Sequence, residues 1–215
     1  MSSLSPLTTI LLLVAIGLAP YAAVMITSYT KIVVVISLIR NALGVQNIPP
    51  NMVVNGLALI LSLFIMYPVL NSSTEVLEKT DISAVPFAQQ KAELVSAAEP
   101  FRQFMLKHAK MEERRFFAGM AKQIWPPEEA ATVKDDDLFI LMPAFTVGEL
   151  RSAFEIGFLL YLPFVAIDLI ISNILLAMGM MMLSPTTISL PFKLLLFVLV
   201  DGWGRLLHGL VLSYS

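Results

Sequence analysis

PFVAIDLIISNILLAMGMMMLSPTTISLPFKLLLFVLV, from Pro163 to Val200, carries two charges, Asp168 and Lys193, each set among several turns of apolar residues. A lone charge at the centre of a membrane helix costs about 2.5 to 3.5 kcal/mol on insertion scales, so such groups normally pair or face a polar cavity. Between them, Met180-Met181-Met182 followed by Leu183-Ser184-Pro185 read as the tip of a helical hairpin. The midpoint of 168 and 193 is 180.5, and that of Glu155 and Arg205, farther out, is 180. Two opposite-charge pairs, Asp168/Lys193 and Glu155/Arg205, are therefore level across one antiparallel axis. At 1.5 Å per residue the inner pair lies roughly 19 Å from the tip. Levelness leaves open whether the partners belong to one hairpin or to adjacent subunits. The blander alternative is that Lys193 snorkels and Asp168 faces water on its own.

The apolar character extends through the chain. Of 215 residues, 57% are apolar and 14% charged, with a mean hydropathy of +0.80. An ordinary soluble domain carries about a quarter charged residues, so this composition points to a membrane protein and away from a soluble enzyme. The net charge is -2 and the basic residues form no cluster, which removes the electrostatic footprint of a nucleic-acid binder. There is no cysteine for a disulfide or a thiolate metal site, and His108 and His208 stand alone, so no metal or cofactor is expected. No Walker loop, G-x-G-x-x-G turn or H-E-x-x-H pair is present, so no catalytic residue is assigned. Any transport must draw its energy from a partner or an ion gradient.

Charge divides the chain into three regions: an N-terminal apolar helix pair (1–70), a polar extracytoplasmic insert (71–137) and a C-terminal helical hairpin with a Met-rich tip (138–215). The insert holds nine Lys/Arg and twelve Asp/Glu, whereas the first region holds only Lys31 and Arg40. About 20 apolar residues cross a bilayer, and the stretches Leu7–Thr30, Met52–Leu70, Ile156–Leu183 and Ile188–Leu212 meet that requirement. The first has no preceding positive residue and exceeds a leader's apolar core, so it is read as a retained helix. Lys31 and Arg40 then fall in the link between the first two spans, which the positive-inside rule places in the cytoplasm, with both termini and the insert outside.

Within the insert, Phe101, Met105, Ala109, Phe116, Met120 and Ile124 recur at helical spacing and predict one amphipathic helix, begun at Pro100 and ended by Pro126-Pro127. Asp135-Asp136-Asp137 reads as a solvated loop or a helix cap rather than a metal site. The cluster Met178, Met180, Met181 and Met182 has two readings. Methionine is a common core filler, yet a turn bounded by Gly179 and Pro185 is a poor place for a core, and a ring of flexible thioethers there could close around varied cargo.

PAFTVGELRSAFEIGFLLYLPFVAIDLIISNILLAMGMMMLSPTTISLPFKLLLFVLVDGW, from Pro143 to Trp203, resembles the C-terminal half of the FliP/SctR family, the export-gate proteins of flagellar and virulence type III secretion. RNALGVQNIPPNMVVNGLALILSLFIMYPV, from Arg40 to Val69, resembles its other well-marked block. The likeness is stronger to the virulence-associated SctR branch; Gly148 departs from it, standing where the family usually has a small hydroxyl residue. The resemblance implies an all-α, membrane-associated protein of long helical hairpins with a helical insert, assembling into a pentameric, helical ring. It also implies SctS-like and SctT-like partners, an SctU-like switch protein and unfolded polypeptide as cargo. On this resemblance, Asp168 and Lys193 form an inter-subunit ion pair, and Met180, Met181 and Met182 form a gasket that constricts the pore. The setting implied is the bacterial inner membrane, with the assembled part largely on its periplasmic side.

Two functions of different class follow. One is a channel subunit that passes unfolded protein through a gated pore. The other is an ion-coupled transporter subunit in which Asp168 titrates as a proton carrier. A level Lys193 favours the first, because a permanently paired carboxylate carries protons poorly.

Overall fold

The computed structural model describes residues 6–45, 48–79 and 87–215, which form helices and, among the described residues, no strand. In chain order these are α1 (Pro6–Met25), α2 (Tyr29–Ala42), α3 (Asn51–Lys79), α4 (Phe87–His108), α5 (Met111–Ile124), the single turn α6 (Pro127–Ala130), α7 (Leu138–Ala177), α8 (Pro185–Leu199) and α9 (Gly202–Leu212). Two of them, α3 and α7, are long and apolar enough to cross a membrane unaided, and up to four candidate spans result if each bent helix pair counts as one. The all-α, membrane-associated class that the family resemblance implied is therefore present.

Helix ends differ from the hydropathy boundaries for local reasons. The first apolar run does not continue to Thr30, because the chain breaks between Met25 and Tyr29. There the Thr27 hydroxyl accepts from the Tyr29 N–H at 3.4 Å, a local turn just ahead of α2, and the Thr30 hydroxyl donates back to the Val24 carbonyl. Lys31 and Arg40 consequently lie inside α2 and not in a link, so the positive-inside rule for short loops does not apply to them. The second run continues past Leu70 to Lys79 as a polar extension, in which Ser72 and Ser73 turn their hydroxyls back onto the carbonyls of Pro68 and Val69 and Asn71 bonds Glu75 one turn on. Hydropathy marks where the apolar face stops, not where the helix does.

The insert helix divides in two. Pro100 sits within α4 rather than at its start, and the chain breaks at Ala109-Lys110 before α5. That break resets the helical phase. Met105 and Ala109 are buried as expected, but α5 buries Ala118 and Ala121, leaving Phe116 58% and Ile124 70% exposed. Asp137 closes the insert at the start of α7, accepting the Lys134 N–H on its carboxylate, while Asp135 and Asp136 receive Arg114 and Arg102.

By packing, the chain falls into two compact units, 1–30 with 66–148 and 31–65 with 149–215, a division that cuts across the one made by charge. In the first unit, Met105, Ala109, Leu141 and Phe145 form one buried cluster, and Ala118, Ala121 and Ile140 another beneath Phe117 and Trp125. In the second, α2 buries Ile32, Val35, Ile36 and Ile39 at the spacing of one helical face. A Cβ on Gly157 of α7 would fall 2.3 Å from Leu38 of α2, so glycine is what permits this close approach.

Candidate functional site

The hairpin tip forms because α7 ends in a Schellman turn. Gly179 takes the left-handed conformation (φ 72°) that a β-carbon would strain, and the Met180 N–H donates to the Leu175 carbonyl at 2.9 Å. The chain reverses through Met180–Ser184, and Pro185 opens α8 at a position where its missing N–H costs nothing. At the tip, Met180 is 39%, Met181 81% and Met182 100% exposed in the single chain.

Below the tip, Asp168 of α7 and Lys193 of α8 meet within the same chain, Nζ to Oδ2 at 2.7 Å. Two further groups complete this layer. Ser189, one turn before Lys193, donates its hydroxyl to Asp168 Oδ1 at 2.5 Å, and Lys193 Nζ also reaches the Ala42 carbonyl at 3.1 Å. Ala42 is the last residue of α2, where carbonyls lack helical partners and the helix dipole is negative, so an ammonium is favoured there. The lysine side chain is 6% exposed and the aspartate 31%, which makes the pair asymmetric: one partner is buried, the other borders the surface.

The outer pair is not brought together. Glu155 bonds Arg151 one turn away on its own helix at 3.1 Å, with both side chains half exposed. Arg205 makes no ion pair among the described residues and instead lines an apolar hollow. Level placement assumed an unbroken return helix. Asp201, left-handed at φ 51°, ends α8 and bends the chain by 59° into α9, so positions beyond it leave the hairpin axis.

A second charged layer went unforeseen. Lys31 of α2 and Glu149 of α7, 7% and 4% exposed, pair at 3.1 Å. The Tyr214 hydroxyl donates to the same carboxylate, the lysine ammonium lies 3.9 Å from the centre of the Tyr214 ring, and Ser213 Oγ is 3.5 Å from Nζ. The penultimate residue is thereby held on a buried ion pair. The signal was present in the sequence: Lys31 follows a long uncharged run and precedes IVVVI, the same setting that singled out Lys193.

Residues 12–210 match the FliP family. The chain is 55% identical over 206 residues to Yop proteins translocation protein R of Yersinia pestis, covering 96% of this chain and 95% of that protein. It is 51% identical over 210 residues to the hypersensitivity response secretion protein HrcR of Ralstonia nicotianae, covering 95% of each. It is 50% identical over 211 residues to the virulence protein YscR of Salmonella typhimurium, covering 98% of each.

Proposed function

This chain belongs to the FliP family, and we propose that it is a core subunit of a type III secretion export apparatus, forming the entrance and gate of a channel for unfolded protein at the bacterial inner membrane. The observation that carries this reading is the exposed methionine tip set on an ion-paired hairpin. A single chain leaves these thioethers without a core to fill, whereas several tips converging on one axis would bury them against each other. The role is structural: the subunit shapes a passage and performs no bond chemistry.

Five copies with SctS-like and SctT-like subunits and an SctU-like switch protein make up the proposed assembly, its bulk on the periplasmic side. In a ring, the pairing of Asp168 and Lys193 is available either within a hairpin or exchanged between neighbours, because both ends of the layer lie level. Engagement of the carboxylate by both Ser189 and Lys193 supports a holding role for Asp168 over proton carriage. A photo-crosslinking residue at Met182 tests the gate reading. In cells carrying a secretion substrate stalled by a folded C-terminal fusion, it is expected to crosslink to that substrate. Crosslinks confined to lipid or to other helices of the apparatus would overturn the reading.

A further inference from the structure

Beside the bend between α8 and α9 lies a hollow of about 650 Å³, within the range of small-ligand sites. Its walls come from α2, α7, α8 and α9 and include Leu159, Phe164, Phe197 and Gly209. Leu159 and Val200, which contribute to it, are exposed, so the hollow is open to the surroundings. Among its lining residues Arg205 alone is charged.

We propose that this hollow is a phospholipid site, with an acyl chain against the apolar wall and the lipid phosphate on the Arg205 guanidinium. Three observations carry it. An apolar concavity on a membrane-associated protein suits a hydrocarbon chain, since burying its walls against one removes apolar surface from water. Arg205 is exposed at the hollow and makes no ion pair among the described residues, so its guanidinium is open to an anion seated there. Its planar fork suits a phosphate, which it can bind through two parallel hydrogen bonds. The carboxylates near it are otherwise placed: Glu155 bonds Arg151, and Asp201 lies folded over Gly204, whose added Cβ would meet it at 2.5 Å.

Gly209 offers a test, because it lines the hollow and a Cβ there meets nothing within 4 Å, so Gly209→Leu has room for its Cβ and adds apolar bulk at that wall. The full chain, purified in detergent with its assembly partners and stripped of lipid, is titrated with phosphatidylglycerol and read by native mass spectrometry. The expected result is a bound lipid per chain whose affinity falls at least tenfold in Arg205→Gln and in Gly209→Leu, and only a few-fold in Arg205→Lys. Equal uptake by wild type and both weakened variants would overturn the site. So would efficient disulfide formation between copies through Gly209→Cys in the otherwise cysteine-free chain, accompanied by lipid-free oligomers, which would assign the hollow to a second copy.

Discussion

Lys31 and Glu149, far apart in the chain, form a 3.1 Å ion pair in which neither side chain is more than 7% exposed, with the Tyr214 ring closing over the ammonium. Neutralising one partner leaves the other charge buried and uncompensated, at a cost of about 3 to 5 kcal/mol. Lys31→Met and Glu149→Met should therefore each lower thermal stability sharply in detergent. The double variant Lys31→Met/Glu149→Met should recover much of the loss, because an apolar pair of similar volume can replace a buried ion pair. Additive losses in this cycle would mean that the two side chains do not act on each other.

Tyr214→Phe keeps the ring over Lys31 and deletes only the hydroxyl that donates to Glu149. Loss of a hydrogen bond to a charged group costs about 1.5 to 3 kcal/mol. Removal of Tyr214 and Ser215 together should cost more than Tyr214→Phe, since the ring's cover is lost as well. Thermal unfolding of the two variants side by side decides this.

For the inner layer, Asp168→Asn retains a partner for Ser189 but leaves the buried Lys193 ammonium without its counter-charge. Loss of complex formation together with secretion is expected for Asp168→Asn and for Lys193→Ala. Native gels and a secretion assay on the same cells separate the alternatives. Normal complexes that no longer transport would indicate proton carriage by Asp168.

In the insert, Met105 is fully buried while Phe116 and Ile124 project outward. Met105→Ala should destabilise the first unit by about 2 to 5 kcal/mol, as large-to-small core changes do. Phe116→Ser with Ile124→Ser should cost the unit less than Met105→Ala and instead reduce assembly, because these side chains are mostly exposed apolar surface, with Phe116 and Phe117 meeting edge-on. Unchanged assembly in the surface variant would remove that surface from the interfaces.

Glu99 gives a pH-dependent contact. Hydrogen bonds from Arg102 and Gln103 hold its carboxyl down at about 2, and Arg102 also bonds Asp136. Because the folded value is depressed below the ordinary value of about 4.3 for a free glutamate, this link is intact above that pH and is lost as pH falls toward 2. In Arg102→Gln, the Glu99 titration followed by NMR should return toward the ordinary carboxylate range.

How far the sequence could be read depended on whether the decisive residue lay inside an unbroken helix. Asp168 and Lys193 flank one tight turn, so counting residues was enough to set them level, and they meet at 2.7 Å. Glu155 and Arg205 follow the same count but fail, because Asp201 bends the return limb, and a left-handed aspartate leaves no mark in hydropathy. Phase was lost in the same way at Ala109-Lys110, where the face expected from Phe101 to Ile124 could not cross the break into α5. Lys31 and Glu149 are joined by tertiary packing alone, and each isolated charge told of a buried setting without naming its partner. Ser189 and Ala42 were out of reach for a different reason, since a serine hydroxyl and a backbone carbonyl resemble every other one until the helices are placed.

Met180, Met181 and Met182, the proposed gate, are exposed at 39%, 81% and 100% on a single hairpin tip. Thioethers from converging tips would make an apolar seal that excludes water and ions at rest, yet changes rotamers at low cost when a polypeptide enters. Replacing all three with Leu should preserve closure but slow secretion through lost flexibility. The most direct measurement is membrane conductance in cells expressing equal amounts of assembled complex, comparing wild type with the triple Ala variant. Assembly should be unchanged, because Asp168 and Lys193 are untouched, and the Ala variant should leak small ions that wild type retains. An Ala variant that assembles and is as impermeable as wild type would contradict the gate and return these methionines to ordinary packing.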